Sequence, residues 1–280
     1  MTHVPGPTSA APTFSLQPSS SQGIAPVSSP SPQHPVNARE HIAPGTGMRV
    51  VLAVIVLILA VLITVGITFG VAIIFWGIGI LLYYFRLSKS RAALHASALQ
   101  IGPNQLPEIH RMATQMSQRL GLGEDPTVLV LDSAQPNAVA TKMGQRLYVV
   151  LFDEVVYGAE MIKNPKALEW ILAHELAHHA LGHTSLFRGA LSANLPSLSR
   201  LDEFSADAVA HSLLRDAAAG QQALAMLMVG PQVAQKINWP ELQRQIQQAN
   251  ENEDTIGAER VFRLSHPLFL RRMARIATLG

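Results

Sequence analysis

The hydrophobic pattern divides the chain before any motif is considered. Residues 50–85 read VVLAVIVLILAVLITVGITFGVAIIFWGIGILLYYF, without one Asp, Glu, Lys or Arg. A membrane-crossing helix needs about 20 apolar residues, so this run predicts a transmembrane segment, taken as residues 49–86. Two geometries fit it. A helical hairpin turning at Gly66 and Gly70, beside Thr64 and Thr68, has arms of about 15–17 residues, slightly short for a full span. One long tilted helix is the competitor. The hairpin is preferred. Arg86, Lys89 and Arg91 follow the run closely, against Arg39 and Arg49 before it, which puts the C-terminal side in the cytoplasm. Tyr83, Tyr84 and Phe85 suit an interfacial aromatic belt.

Residues 87–280 return to mixed patterning and predict one mostly helical domain with a small amount of strand. Leu106, Ile109, Met112, Met116 and Leu120 recur at helical spacing, and Gly121 ends that helix. Strands are expected at 126–133 and 145–152, with a turn at 142–145. Asn164-Pro165 is a cap followed by a first-turn proline, and it starts a helix over 165–183. A further helix is expected over roughly 200–219, stopping at Gly220.

Residues 1–48 hold nine of the eighteen prolines and many serines, with Arg39 and Glu40 their only charged residues. Such a segment cannot offset its chain entropy by burial, so a disordered tail is expected. A basic n-region is lacking and the apolar run begins late, which argues against a signal peptide.

Composition sharpens this picture. Only 14% of the 280 residues are charged, against about 25% in a typical soluble domain, which fits a chain partly in lipid. The absence of cysteine excludes disulfides, thiolate catalysis and Cys-ligated metals. A net charge of +2 with no dense basic block argues against nucleic acid as a partner.

The chemistry lies on the 165–183 helix, which carries His174-Glu175-Leu176-Ala177-His178. Histidines at i and i+4 share a helix face and can converge on one metal ion. Imidazole suits Zn2+, whose tetrahedral sites leave room for a third protein ligand and a water. Glu175 is rotated by about 100° from His174, off the metal but in the position of a general base. A third ligand on an extension of the same helix would need glycine at position 181 and histidine at position 184, but Leu181 and Thr184 stand there. His183 is expected about 180° around the helix from His174, facing away, and His179 also points off the metal face. The other source is Leu201-Asp202-Glu203-Phe204-Ser205-Ala206-Asp207. Glu203 and Asp207 are i and i+4, so one carboxylate can bind zinc while the other orients a ligand histidine. His211 lies one further turn along and is expected to be a core or surface residue.

HELAHH followed by EFSAD, behind an N-terminal membrane segment, resembles the HtpX-type membrane-bound zinc metallopeptidases, relatives of the CAAX prenyl proteases. Pro136–Thr141 (PNAVAT) resembles a P-N-A-F-A stretch of that family, with Val139 in place of Phe. Ser265-His266-Pro267 with Arg271 and Arg272 resembles its late H-P motif. The resemblance covers about residues 100–280. It implies a gluzincin-like fold, mainly α with a small β-sheet, and one zinc per chain. It further implies that His174, His178 and Glu203 bind zinc, that Glu175 is the base and that Asp207 supports a ligand from behind. Asn137 and His266 would line the substrate groove, His266 as a donor to the oxyanion. Strand 146–152 is the expected partner for an extended substrate backbone. The implied activity is that of a membrane-anchored metalloendopeptidase, in membrane-protein quality control, with protein or peptide substrates and the lipid bilayer as partners; cleavage in water and cleavage at the bilayer surface both fit the sequence. The implied location is the plasma membrane of a prokaryote, with the catalytic domain cytoplasmic. A membrane-anchored zinc-binding scaffold that does not cleave is the alternative, and the four intact core residues favour the enzyme. A non-peptidase zinc hydrolase using the same ligands is a weaker third reading. Residues 184–200, with Gly189 and Pro196, are either a lid over the groove or a passive connection.

Overall fold

The computed structural model describes residues 34–68, 70–251 and 268–279, apart from the side chains of 83–85, 87 and 88. His266, with Ser265 and Pro267, lies outside the described residues, as do residues 1–33 and the side chains of the expected aromatic belt.

The apolar run forms two helices, α1 (Thr46–Ile67) and α2 (Val71–Ser97). Gly66 stays inside α1, and the break falls after Ile67, beside Gly70. Both helices stand on the rest of the molecule. The Ala43 N–H donates to Ser205 Oγ at 2.9 Å just before α1 begins, and His95 Nε2 meets the Tyr148 hydroxyl at 3.1 Å where α2 ends. The chain therefore runs out and back. Nearly every large apolar side chain described on the two helices, such as Leu62, Ile67, Phe75 and Leu81, is exposed. Residues 34–45, inside the segment expected to be tail, lie against the domain: the Val36 N–H donates to the Arg119 carbonyl at 2.9 Å, and Ala38 and Ala43 are buried.

The domain has a four-stranded sheet in the order β1-β2-β4-β3. The strands are β1 (Leu99–Gln100), β2 (Thr127–Leu131), β3 (Ala138–Met143) and β4 (Arg146–Phe152). β2 and β4 run parallel, with Leu129 opposite Val150; β3 folds back antiparallel on β4, with Thr141 opposite Tyr148. β4 carries the most apolar sequence and takes the centre, where Tyr148, Val149 and Leu151 are fully buried. It is paired on both sides, so it has no free edge for a substrate. That free edge belongs to β3, which corrects the expectation placed on residues 146–152.

Helix α3 (Pro107–Arg119) and α4 (Asp153–Met161) flank the central helix α5 (Pro165–Ala180). The Asn164 side chain caps α5 by accepting from the Lys166 N–H at 3.1 Å. Apolar residues surround α5 on all sides, the pattern of a helix buried all round. It packs against α3, α4 and the sheet, and against α7 (Pro196–Leu214) and α8 (Ala217–Val229). Ala167, Leu172, Ala173, Leu176 and Ala177 have no exposed surface. The helix expected to end at Gly220 is in fact two helices. Arg215 takes a left-handed conformation that ends α7, Asp216 caps α8, and Gly220 lies inside α8. A Cβ on Gly220 would stand 2.7 Å from the Trp170 ring, so glycine there serves close approach of α8 to α5. The rest comprises α6 (Leu186–Asn194), α9 (Pro231–Ala234), α10 (Trp239–Glu251) and α11 (Phe269–Ala277). The architecture is mainly α with a small sheet, as expected.

Candidate active site

α5 delivers His174 and His178 to one face, and α7 crosses it to deliver Glu203 and Asp207 from a parallel i, i+4 pair. His174 Nε2 and His178 Nε2 face each other at 3.2 Å. Glu203 Oε2 lies 3.4 Å from the first and Oε1 lies 3.6 Å from the second. One donor atom from each of the three residues fits within 4.8 Å of the others. Zinc bound to nitrogen at about 2.0–2.1 Å in a tetrahedron needs donors about 3.3–3.5 Å apart, so the three positions fit such an ion. The donor set, two imidazoles and a carboxylate, is also of the chemical type zinc takes.

The surrounding charge agrees. Among the described residues, the carboxylates of Glu203, Glu175 and Asp207 converge around Arg272 of α11. Arg272 Nη2 and Nε donate to the two Asp207 oxygens at 2.7 and 2.8 Å, and Nη1 lies 3.0 Å from Glu203 Oε2. Asp207 Oδ1 is also 3.0 Å from His174 Nδ1. Burial alone would raise the Asp207 pKa, but the guanidinium holds it below the usual value. Burial works against a charge on His174 too, yet the Asp207 and Glu203 carboxylates push its pKa up to about 10. Burial and the neighbouring charge on His174 hold His178 far below the usual imidazole value.

Glu175 points into the same pocket, beside Ala140. Burial raises its pKa above that of a free carboxyl. The pocket opens as a groove of about 690 Å³ between Pro136–Thr141 on one side and Thr184, Gly189 and Glu203 on the other. Asn137 lines the groove, although its side-chain oxygen accepts from the Ala138 N–H at 2.9 Å. His179 points away, holding the Tyr148 carbonyl and Thr184 Oγ1 at 3.0 and 2.9 Å. His211 packs near the Trp170 ring.

Two participants were not legible as site residues. Arg272 appeared in the sequence only as part of a late motif. His183 was expected to face away, on the premise that α5 continues to it. The helix ends at Ala180 instead, Gly182 takes φ +74°, and His183 swings back to bring its Nδ1 within 3.0 Å of His178 Nδ1. The signal was Gly182 itself, a helix-stop residue one place before the histidine. Residues 184–200 are mostly helix: α6, then the start of α7 at Pro196.

Comparison with known proteins agrees with this geometry. Residues 103–193 match the model of Peptidase family M48, a stretch that includes α5 and stops short of Glu203. The chain is thus similar to metallopeptidases of the M48 type. The relatives it matches are more specific. It is 28% identical over 130 residues to "Protease HtpX homolog" of Ralstonia nicotianae, covering 46% of this chain and 43% of that protein. The homologue of Ralstonia pickettii is 27% identical over 130 residues, with the same coverage. That of Thermodesulfovibrio yellowstonii is 30% identical over 112 residues, covering 40% of this chain and 37% of the relative. The matches span about two fifths of the length of these curated relatives. No solved structure matches the chain. The resemblance to HtpX-type metallopeptidases drawn from HELAHH and EFSAD is borne out.

Proposed function

We propose that the chain is a membrane-anchored, zinc-dependent metalloendopeptidase. The observation that carries the proposal is the convergence of His174, His178 and Glu203 within 4.8 Å, with Glu175 beside them in an open groove. His174, His178 and Glu203 would hold the ion. Zinc in such a site supplies a Lewis acid that polarises a scissile carbonyl and lowers the pKa of water.

The remaining steps belong to the protein's own groups. Glu175, its pKa raised by burial, is suited to take a proton from water and pass it to the departing amine. Asp207, fixed by Arg272, accepts the His174 Nδ1 proton and so leaves Nε2 facing the ligand position. The outer edge of β3 borders the groove, so an extended substrate can add to it as a further strand, which gives recognition through backbone rather than sequence. Asn137 stands at the start of that edge.

The exposed apolar surface of α1 and α2 supports membrane insertion, because a patch of that extent is not tolerated in water. α1 stands on α6 and α7 and α2 on β3, the elements that form the two walls of the groove. These contacts support cleavage near the bilayer surface, on the cytoplasmic side by the charge rule, which fits membrane-protein substrates and quality control.

The test is zinc content together with cleavage of unfolded casein by the full chain in detergent. The expected result is one zinc per chain in both wild type and Glu175→Gln, with cleavage by wild type alone. Zinc without cleavage by either would favour the non-cleaving scaffold. Cleavage by Glu175→Gln at the wild-type rate would remove Glu175 from its assigned role.

A further inference from the structure

Behind His178 lies a chain of polar groups that the proposed mechanism does not use. His178 Nε2 is the ring nitrogen turned toward His174 and Glu203. Its other nitrogen, Nδ1, lies 3.0 Å from His183 Nδ1. Two ring nitrogens at that distance share one proton. If His178 gives its Nε2 lone pair to a metal, its own proton must sit on Nδ1, and His183 Nδ1 must accept it. The His183 proton then has to sit on Nε2. That atom faces Asp202 Oδ1 at 3.3 Å, and an ionised carboxylate only accepts.

Asp202 is itself held in place. Arg188 Nη2 donates to Oδ1, Ser192 Oγ donates to Oδ2 at 2.7 Å, and Arg188 Nη1 ties Ser192 at 2.7 Å. Both Arg188 and Ser192 are on α6. His183 and Asp202 are nearly closed to solvent, at 8% and 6% side-chain exposure, so water is a poor substitute for either. The two histidines of the motif are thus supported in matching ways. His174 reaches an arginine-paired carboxylate directly, through Asp207 and Arg272; His178 reaches one through a second imidazole.

We infer that His183 is a positioning residue for His178, fixing the tautomer that directs Nε2 toward the metal, and that Asp202 fixes His183 in turn. This rests on reading His174, His178 and Glu203 as metal ligands. Loss of such supporting partners typically weakens metal binding by about 10–100-fold.

The test uses the full chain in detergent, with zinc competed against a chromophoric chelator and melting of the metal-free protein followed in parallel. His183→Leu is expected to weaken zinc binding by about 10–100-fold while the metal-free protein melts as wild type does. His183→Asn can place its amide oxygen where Nδ1 stands, so it is expected to recover most of the affinity. His183→Leu binding zinc as tightly as wild type would overturn the inference, and so would His183→Asn binding as weakly as His183→Leu. A wild-type chain that takes no zinc would overturn the ligand reading and this inference with it, an outcome separable because it appears in the parent protein. If His183→Leu fails to fold, 15N NMR of the zinc-loaded wild type decides: a His183 proton on Nε2 supports the inference, and one on Nδ1 overturns it.

Discussion

Arg272 holds together a pocket that would otherwise repel itself. It is 6% exposed and bridges Glu203 and Asp207, two carboxylates that are themselves buried. Removing one partner of a buried ion pair costs about 3–5 kcal/mol, because the other charges stay behind unpaired. Arg272→Met in the presence of a chelator should therefore lose stability on that scale, read as a lower urea midpoint. Zinc should restore part of the loss, since a bound cation again faces the carboxylates. A midpoint equal to wild type without metal would mean that the two carboxylates are not held ionised. At this scale the sequence was readable where the chemistry is local. His174 and His178 share a face by helix geometry alone, as do Glu203 and Asp207. Arg272 was not readable, because 98 residues separate it from His174 and only the docking of α11 brings them together. His183 was misplaced by a single backbone angle at Gly182.

The same contrast holds for elements. α3, β2, β4 and α5 were expected close to where they form, each with a strong period or cap. β3 was not expected as a strand. Ala138–Met143 has no large apolar alternation, and it becomes a strand because the turn at Gly144 folds it onto β4. The break between α7 and α8 was also missed, since Ala217–Ala219 reads as continuing helix. Asp216 makes that break stable. Its carboxylate accepts from the Ala219 N–H at 2.9 Å and pairs with Lys166, which is too exposed to add much. Burial tends to raise its pKa, but the cap and the lysine hold it below the usual value. A group depressed in the folded state stabilises above its unfolded pKa of about 3.9, and that contribution is lost as pH falls through the folded value. Asp216→Ala should cost about 1 kcal/mol near neutrality. The gap to wild type should narrow as the pH falls below the unfolded carboxyl value of about 3.9 and the wild-type carboxyl takes up its proton. A gap constant across that range would assign the effect to packing rather than to the charged cap.

At the scale of the molecule, the fold combines a buried, charged centre with two helices whose apolar side chains are mostly left exposed by the described residues. α1 has 22 residues, about 33 Å at 1.5 Å per residue, enough for a hydrocarbon core of about 30 Å. The apolar stretch of α2, Val71–Leu82, is shorter, so a crossing by it would require local thinning of the bilayer or lysine and arginine stems reaching to the interface. Since α1 rises from the domain and α2 returns to it, two crossings put the tail and the domain on one face and the Thr68–Gly70 turn on the other. The cysteine-free sequence makes this directly measurable. Single cysteines at Ser20, Thr68 and Gly123 in sealed vesicles of known orientation, treated with a membrane-impermeant maleimide, report one position each. Ser20→Cys and Gly123→Cys should label only when the cytoplasmic face is outward, and Thr68→Cys only when it is inward. Labelling of Ser20→Cys and Gly123→Cys from opposite faces would show a single crossing. The domain would then meet the bilayer at one helix base only, and the groove would lose its place between two membrane-inserted helices.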